Sequence, residues 1–541
     1  MIISNNLFKY LLAIISGIFY FLSFPKFGDK TFAWFCLSPL LFIVVEDSLS
    51  YLENDRSIKK EIITLSFITG TIGWCGILYW IVPTFIIAGE HFMFGSLALV
   101  ALSFYCSLYL VGFNLGVHFF LKFFKKLNLL VIIVVSSLWV LTEYLRGWLF
   151  SGFPWMLLGY SQYDNLALIQ IAEYFGVYGV SFILVFVNLF IVWYFHRLFN
   201  KRPVRFVSLF IFLISITTIL IFGIIKISKI NKQLQNSNKT ITVALLQGNI
   251  DQYKKWDKEY IEEIMLTYTK LVQNSVMIIK QTTKKNYPSL FIWPESATPG
   301  WLFDEKKLYS WVSNLVEFTH NQFNQPVYHL IGTIRSENNR SIYYNSAALF
   351  SYKNNGVITE NIYDKIHLVP FGEYVPFKKI LSKFIKTVNE LGEFTAGKNF
   401  TVFNIEEKNI SFATLICYES IFPELTSKFF SYDVDFLVNI TNDAWFLKTS
   451  APYQHFIANI FRAVENRCYV VRCANTGISA VISPTGKVIQ KTDLFKTITL
   501  INEMKTYHYK TFYSKFARWL WIMYFLVVLI PFKIQFIKTH L

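Results

Sequence analysis

Hydrophobic residues follow two different patterns along this chain, and the change comes near residue 230. Before it, apolar residues run on with little charge at 7–23, 31–46, 62–88, 95–121, 128–149, 170–195 and 206–226, and one more such run follows at 516–537. Each is close to the length a helix needs to cross a hydrocarbon layer about 30 Å thick, so eight spans are expected. The run at 7–23 reads as a retained first span, because SFPKFGDK after it offers no small-x-small cleavage pattern and a second run begins at once. Beyond the polar linker NKQLQNSNKT the pattern shortens. TITVALLQGN, SLFIWPES, YHLIGTIR, YNSAALFS, SFATLICYE, DFLVNITND, YVVRCANTG and SAVISPTG read as strands, with helical patterns near 256–281, 305–321 and 452–467. Several strands are apolar on both faces, which suits sheets covered by helices on one side and by each other on the other. The expected fold is therefore α/β with a polytopic α-helical membrane domain of about eight spans. Residues 1–230 form its N-terminal seven spans, 238–510 a globular domain, and 511–541 a final span and tail.

Composition agrees with a membrane protein: of 541 residues 54% are hydrophobic and only 16% charged. The net charge of +16 does not point to nucleic acid, since much of it lies in short loops beside the apolar runs and no nucleic-acid motif or Gly-rich phosphate loop is present. Arg56, Lys59 and Lys60, then Lys122, Lys125 and Lys126, then Arg197, Lys201, Arg202 and Arg205 all fall on the face that carries both termini. The positive-inside rule makes that face cytoplasmic and puts the globular domain outside the cytoplasm, although Lys226, Lys229 and Lys232 oppose it. The six cysteines form no CxxC pair and no Cys/His spacing for a metal, so neither metal nor cofactor is expected. Cys468 and Cys473 read as core residues. In TEYLRGWLFSGFPWMLLGYSQ, Glu143, Arg146, Trp148, Gly152, Pro154 and Trp155 interrupt the helical pattern. An interfacial aromatic belt and a lipid-binding mouth are both compatible with that segment.

Three stretches of the globular domain set an ionisable residue beside turn formers at or after a strand end. They are FIWPESATP with Glu295, YDKIHLVPFGEYVP with Lys365 and Glu373, and LICYES with Cys417 and Glu419. Taken singly, each has an ordinary structural reading: a turn carboxylate, a solvated ion pair, His367 as a polar group near a turn, a buried thiol. Taken together they suit acyl transfer. A thiol attacks only as thiolate, a carboxylate in a closed pocket can take its proton, and a lysine can hold the anion formed on an attacked carbonyl.

These stretches resemble the nitrilase, or carbon-nitrogen hydrolase, superfamily, whose site is a Glu, Lys and Cys set in that chain order. LLQGNIDQYKKWD, IWPESATP, KIHLVPFGEYVP, ICYES, TNDAWF and RGWLFSGFPW together resemble its membrane branch, the apolipoprotein N-acyltransferases. The resemblance implies a nitrilase-like α-β-β-α sandwich outside the cytoplasm, with Glu295 as general base, Lys365 as oxyanion stabiliser and Cys417 as nucleophile. It marks Glu373, Tyr418, Glu419 and Trp256 as supporting residues, and gives Asn442 and Trp445 of TNDAWF the lesser role of supporting the pocket. The implied reaction moves a fatty acyl chain from a membrane phospholipid, through a Cys417 thioester, to the N-terminal amine of a diacylglyceryl-cysteine lipoprotein. That is the last step of lipoprotein maturation at the bacterial inner membrane. The implied placement is multi-pass, with cytoplasmic termini and a periplasmic catalytic domain; a monomer is favoured and no nucleic acid is involved. The alternative on the same three residues is a membrane-anchored amidase with water as acceptor. A transporter reading has less to stand on, because the spans hold few ionisable residues and no evident inverted repeat.

Overall fold

The computed structural model describes residues 6–50, 55–203, 206–282, 288–323, 325–337, 340–376, 378 and 393–540. They divide into two compact units. One comprises 1–226, 449–457 and 516–541, the other 227–448 and 458–515.

The first unit is helical. Among the described residues seven helical stretches are long and apolar enough to cross a membrane: Lys30–Ser50, Arg56–Leu78, Phe92–Phe124, Leu129–Ser151, Ala172–Phe199, Phe206–Gln235 and Phe512–Lys533. With the shorter apolar helix Asn6–Leu22 they account for the eight expected runs. The run expected at 62–88 is divided: one helix ends at Leu78 and a second spans Ile81–Ile87. Pro83 explains the division, since it has no N–H for the Tyr79 carbonyl and its ring crowds that group. The interrupted segment after Trp148 is held by the two ionisable residues flagged in the sequence. Arg146 Nη1 donates to the carbonyls of Phe153 (2.8 Å) and Trp155 (2.7 Å), and its guanidinium lies 4.6 Å from the Trp74 ring centroid. Glu143 Oε1 accepts from the Leu158 N–H at 2.8 Å. Backbone that has left a helix at membrane depth needs such partners, which gives both residues a structural role whatever else the segment does. Residues 449–457 also belong to this unit: Gln454 Oε1 accepts from the indoles of Trp155 (2.8 Å) and Trp80 (3.2 Å). Lys226, one of the lysines that opposed the charge bias, is buried and paired with Glu173 at 2.8 Å.

The second unit contains two six-stranded sheets. Its strands are β1 (Lys239–Gln247), β2 (Ser289–Ile292), β3 (Val327–Glu337), β4 (Ile342–Lys353), β5 (Gly356–Asp364), β6 (Val402–Ile405), β7 (Ile410–Ile416), β8 (Phe436–Thr441), β9 (Tyr469–Ala474), β10 (Ala480–Ile482), β11 (Val488–Lys491) and β12 (Ile498–Thr506). The orders are β12-β1-β2-β3-β4-β5 and β11-β10-β9-β8-β7-β6. In each, the central strands pair in parallel (β1-β2-β3 and β7-β8-β9) and the flanking strands antiparallel. The sheets face each other, β1 on β9 and β4 on β7, while helices Ile261–Thr282 and Lys306–Gln322 cover the outer face of the first. The former helix buries Ile264, Tyr268, Leu271, Val272, Ser275, Val276 and Ile279, the i, i+3, i+4 spacing of one helical face. Tyr268 stacks on Trp293 at 4.8 Å, and Trp311 meets that indole edge-on at 5.4 Å. The indole of Trp293 is thus locked two residues before Glu295. Parallel central strands of one sheet end on the same side, and the Asn442 N–H just after β8 reaches Glu295 just after β2, so the strand ends of both sheets meet at one edge of the sandwich.

Candidate active site

Glu295 lies three residues beyond β2 and is 7% exposed. Its Oε1 accepts from Asn345 Nδ2 at 2.7 Å and stands 3.7 Å from Lys365 Nζ, while Oε2 accepts from the Asn442 N–H at 2.8 Å. The neighbouring strand must come very close for this to work. A Cβ at Gly332 in β3 would stand 2.1 Å from the Pro294 carbonyl oxygen and 2.8 Å from the Glu295 Cα, so only glycine fits there.

Lys365 follows β5 directly and is 1% exposed. Its Nζ donates to Glu373 Oε1 at 2.9 Å. Its N–H is fixed by the Asn345 carbonyl and its own carbonyl by the Gly397 N–H, both at 2.8 Å. Burial alone would depress the ammonium, but Glu373, Glu295 and Cys417 outweigh it and hold the group above the usual lysine range. Glu373 Oε1 also accepts from Asn345 Nδ2 at 2.9 Å, and its Oε2 from the Val369 N–H at 2.8 Å. Asn345 therefore bridges the two carboxylates that flank the lysine.

Cys417 begins a 3₁₀ turn, Cys417–Ile421, at the end of β7, with φ +52°. A non-glycine residue in that region is strained and stays there only where its surroundings hold it. Glu419 does much of the holding: it is fully buried, its Oε2 accepts from the Ile416 N–H (2.7 Å), and its Oε1 accepts from Tyr363 Oη (2.8 Å), the Ile366 N–H (2.8 Å) and the His367 N–H (3.0 Å). One carboxylate thus ties the Cys417 turn to the Lys365 loop. From the other side Asn439 Nδ2 donates to the Leu415 carbonyl at 3.0 Å and weakly to that of Cys417 at 3.4 Å. Arg472, itself paired with Asp443 at 2.7 Å, donates to the Asn439 oxygen. The Cys417 thiol is pushed up first by burial and then by the charge of Glu295, while Lys365 acts the other way. It rests as a thiol and needs a base to react.

The structure thus gathers Glu295, Lys365, Glu373, Cys417 and Glu419 at one place. Tyr418 is half-buried, its ring edge-on to Phe422 at 5.1 Å. The backbone of Trp256 lies in the turn Lys254–Trp256; its side chain is outside the described residues. Asn442 takes a more direct part than sequence suggested, through its N–H to Glu295, and Trp445 is 37% exposed. Two residues of the site were not foreseen: Asn345, a polar position inside an otherwise ordinary strand, and Lys255, which neighbours the flagged Trp256. Among the described residues no group of three or more His, Cys, Asp or Glu could hold a metal ion.

Residues 16–190 match the family "Apolipoprotein N-acyltransferase N-terminal domain", and residues 242–509 match "Carbon-nitrogen hydrolase". An apolipoprotein N-acyltransferase of Geobacter metallireducens is 35% identical over 94% of this chain and 91% of its own length. One from Haemophilus influenzae is 31% identical over the same shares, and one from Rickettsia prowazekii 33% over 71% and 72%.

Proposed function

The chain belongs to the apolipoprotein N-acyltransferase family, and from that premise we propose that Glu295, Lys365 and Cys417 transfer an acyl chain through a thioester on Cys417. The acyl donor is a membrane phospholipid. The acceptor is the amino group of an N-terminal diacylglyceryl-cysteine on a lipoprotein, and the site works on the periplasmic side of a bacterial inner membrane. The observation that carries the reading is the charge arrangement: a buried carboxylate and a buried ammonium, 3.7 Å apart, both act on one strained cysteine.

Glu295 takes the Cys417 proton, and the thiolate attacks the donor's ester carbonyl. Lys365 and a backbone N–H hold the oxyanion; its collapse expels the lysophospholipid, which takes the proton back from Glu295. An α-amine with a pKa of about 7.7 to 8.0 is roughly one-tenth to one-sixth neutral at pH 7, so this fraction of the acceptor attacks the thioester and Glu295 receives the proton released as the amide forms. The products are an amide and free enzyme. Kinetics of this kind are ping-pong, and water must be kept from the thioester for transfer to win over hydrolysis.

The test is mass spectrometry of the purified protein incubated with phospholipid and no acceptor. An acyl adduct on the Cys417 peptide that hydroxylamine removes, and that is missing in Cys417→Ser, is expected. Continued transfer by Cys417→Ala would overturn the reading.

A further inference from the structure

A second lysine is buried beside Glu295. Lys255 is 3% exposed and its Nζ donates to the Glu295 carbonyl at 2.9 Å. Among the described residues that neutral oxygen is its one hydrogen-bond acceptor. Its neighbour Lys254 is quite different: half-exposed, it lies 3.2 Å from Glu263 and over the Tyr260 ring. Lys365, on the Oε1 side of Glu295, has two carboxylates to balance it. A buried cation without a carboxylate in contact is costly, and a hydrophobic side chain of similar length would cost less, so stability does not account for Lys255.

We propose that Lys255 is a positioning residue of the acyl-transfer site: it anchors the Glu295 backbone and supplies a second positive charge that favours the Cys417 thiolate. The proposal rests on Cys417 being the nucleophile. When Glu295 takes the thiol proton, the carboxylate becomes neutral and a negative charge appears on sulfur. Lys365 still has Glu373 against it at that moment, so its net field at the sulfur is reduced. Lys255 has no such companion, and the charged groups that act on it are Glu295 and Cys417. Burial pushes the Lys255 ammonium down to about 8. It is therefore mostly charged at pH 7 and mostly neutral above pH 9. After burial, the largest influences on the thiol are Glu295, Lys365, Asp443 and Thr441; Lys365, held above the usual lysine range, keeps its charge through that window.

The experiment measures alkylation of Cys417 by iodoacetamide, in which the thiolate displaces iodide, as a function of pH in the full-length protein. Mass spectrometry of the Cys417 peptide distinguishes it from the other five cysteines. Lys255→Met should react about 10-fold more slowly than wild type at pH 7, the scale of one nearby opposite charge. The difference should close as pH rises past about 8, where wild type loses the same charge. Lys255→Arg, which keeps a charge at every pH tested, should hold the fast rate into the alkaline range. A ratio of wild type to Lys255→Met that stays constant from pH 7 to 9.5, or equals one throughout, overturns the proposal. Should Lys255→Met not fold, the wild-type profile decides: its rise must flatten near pH 8, and an unbroken unit slope from pH 7 to 9 sinks the idea. Failure of wild-type Cys417 to be alkylated or acylated at all would instead remove the nucleophile reading on which this one rests.

Discussion

Replacing Glu373 by Gln keeps the shape of the site and removes one of the two charges that balance Lys365. In the native arrangement Lys365 Nζ is 2.9 Å from Glu373 and 3.7 Å from Glu295, so the nearer carboxylate keeps the ammonium off the proposed base. At an effective dielectric of about 20, a charge pair at the longer separation is worth about 4.5 kcal/mol and one at the shorter about 5.7 kcal/mol. If Lys365 moves to contact Glu295 once Glu373 is neutral, Glu295 becomes a weaker base by about 1.2 kcal/mol, or roughly eightfold. The amide also sets an N–H₂ against the Val369 N–H, because Lys365 and Asn345 both require an oxygen on the other side. That lost hydrogen bond costs about 1–3 kcal/mol of stability. Single-turnover acylation of Cys417, followed by mass spectrometry against time, should slow by roughly eightfold or somewhat more, with a lower melting temperature in detergent. An acylation rate equal to wild type would refute the assignment of Glu373 as the group that spaces Lys365 from Glu295.

Gly332→Ala puts a methyl 2.1 Å from the Pro294 oxygen and forces the Glu295 turn away from β3, so it should lower melting temperature and slow acylation by the protein that remains folded; an unchanged acylation rate would count against Glu295 as base. Glu419→Gln keeps an oxygen for Tyr363, Ile366 and His367 but sets its N–H₂ against the Ile416 N–H beside the Cys417 turn, and should both lower melting temperature and slow acylation by about 10-fold. Arg146→Ala leaves the carbonyls of Phe153 and Trp155 without this donor; melting in detergent should fall by about 2–5 kcal/mol equivalent, while the acylation rate of the protein still folded should change little.

The spans were legible because an unbroken apolar run of that length has few other uses, and what sequence missed there was a local effect, the division at Pro83. The eight strands named in the sequence include the central, doubly covered ones, where burial leaves an apolar run. The four that went unnamed, β5, β6, β11 and β12, are the four sheet edges, and two of them, β6 and β11, have only four residues. GVITENIYD and VIQK mix polar and apolar positions because one side or edge meets solvent. At the site, Glu295, Lys365 and Cys417 could be picked out because each follows a strand and adjoins turn formers. Asn345 could not, since it lies inside β4 and only the fold brings two carboxylates to its amide. Lys255 was hidden by its company: a lysine next to a lysine in a loop reads as solvated, and nothing local reveals which of the two is buried.

Gln454 has a consequence for how the molecule is made. The indoles of Trp80 and Trp155 share its side-chain oxygen, yet about 300 residues of synthesis separate Trp155 from it. At ordinary translation rates of about 5–20 residues per second, that interval is roughly 15 to 60 s. During it the early helices sit in the bilayer without this acceptor, so their final packing waits on a late portion of the nascent polypeptide. The ribosome thus delivers a fastener for the first half of the protein only after most of the second half has emerged.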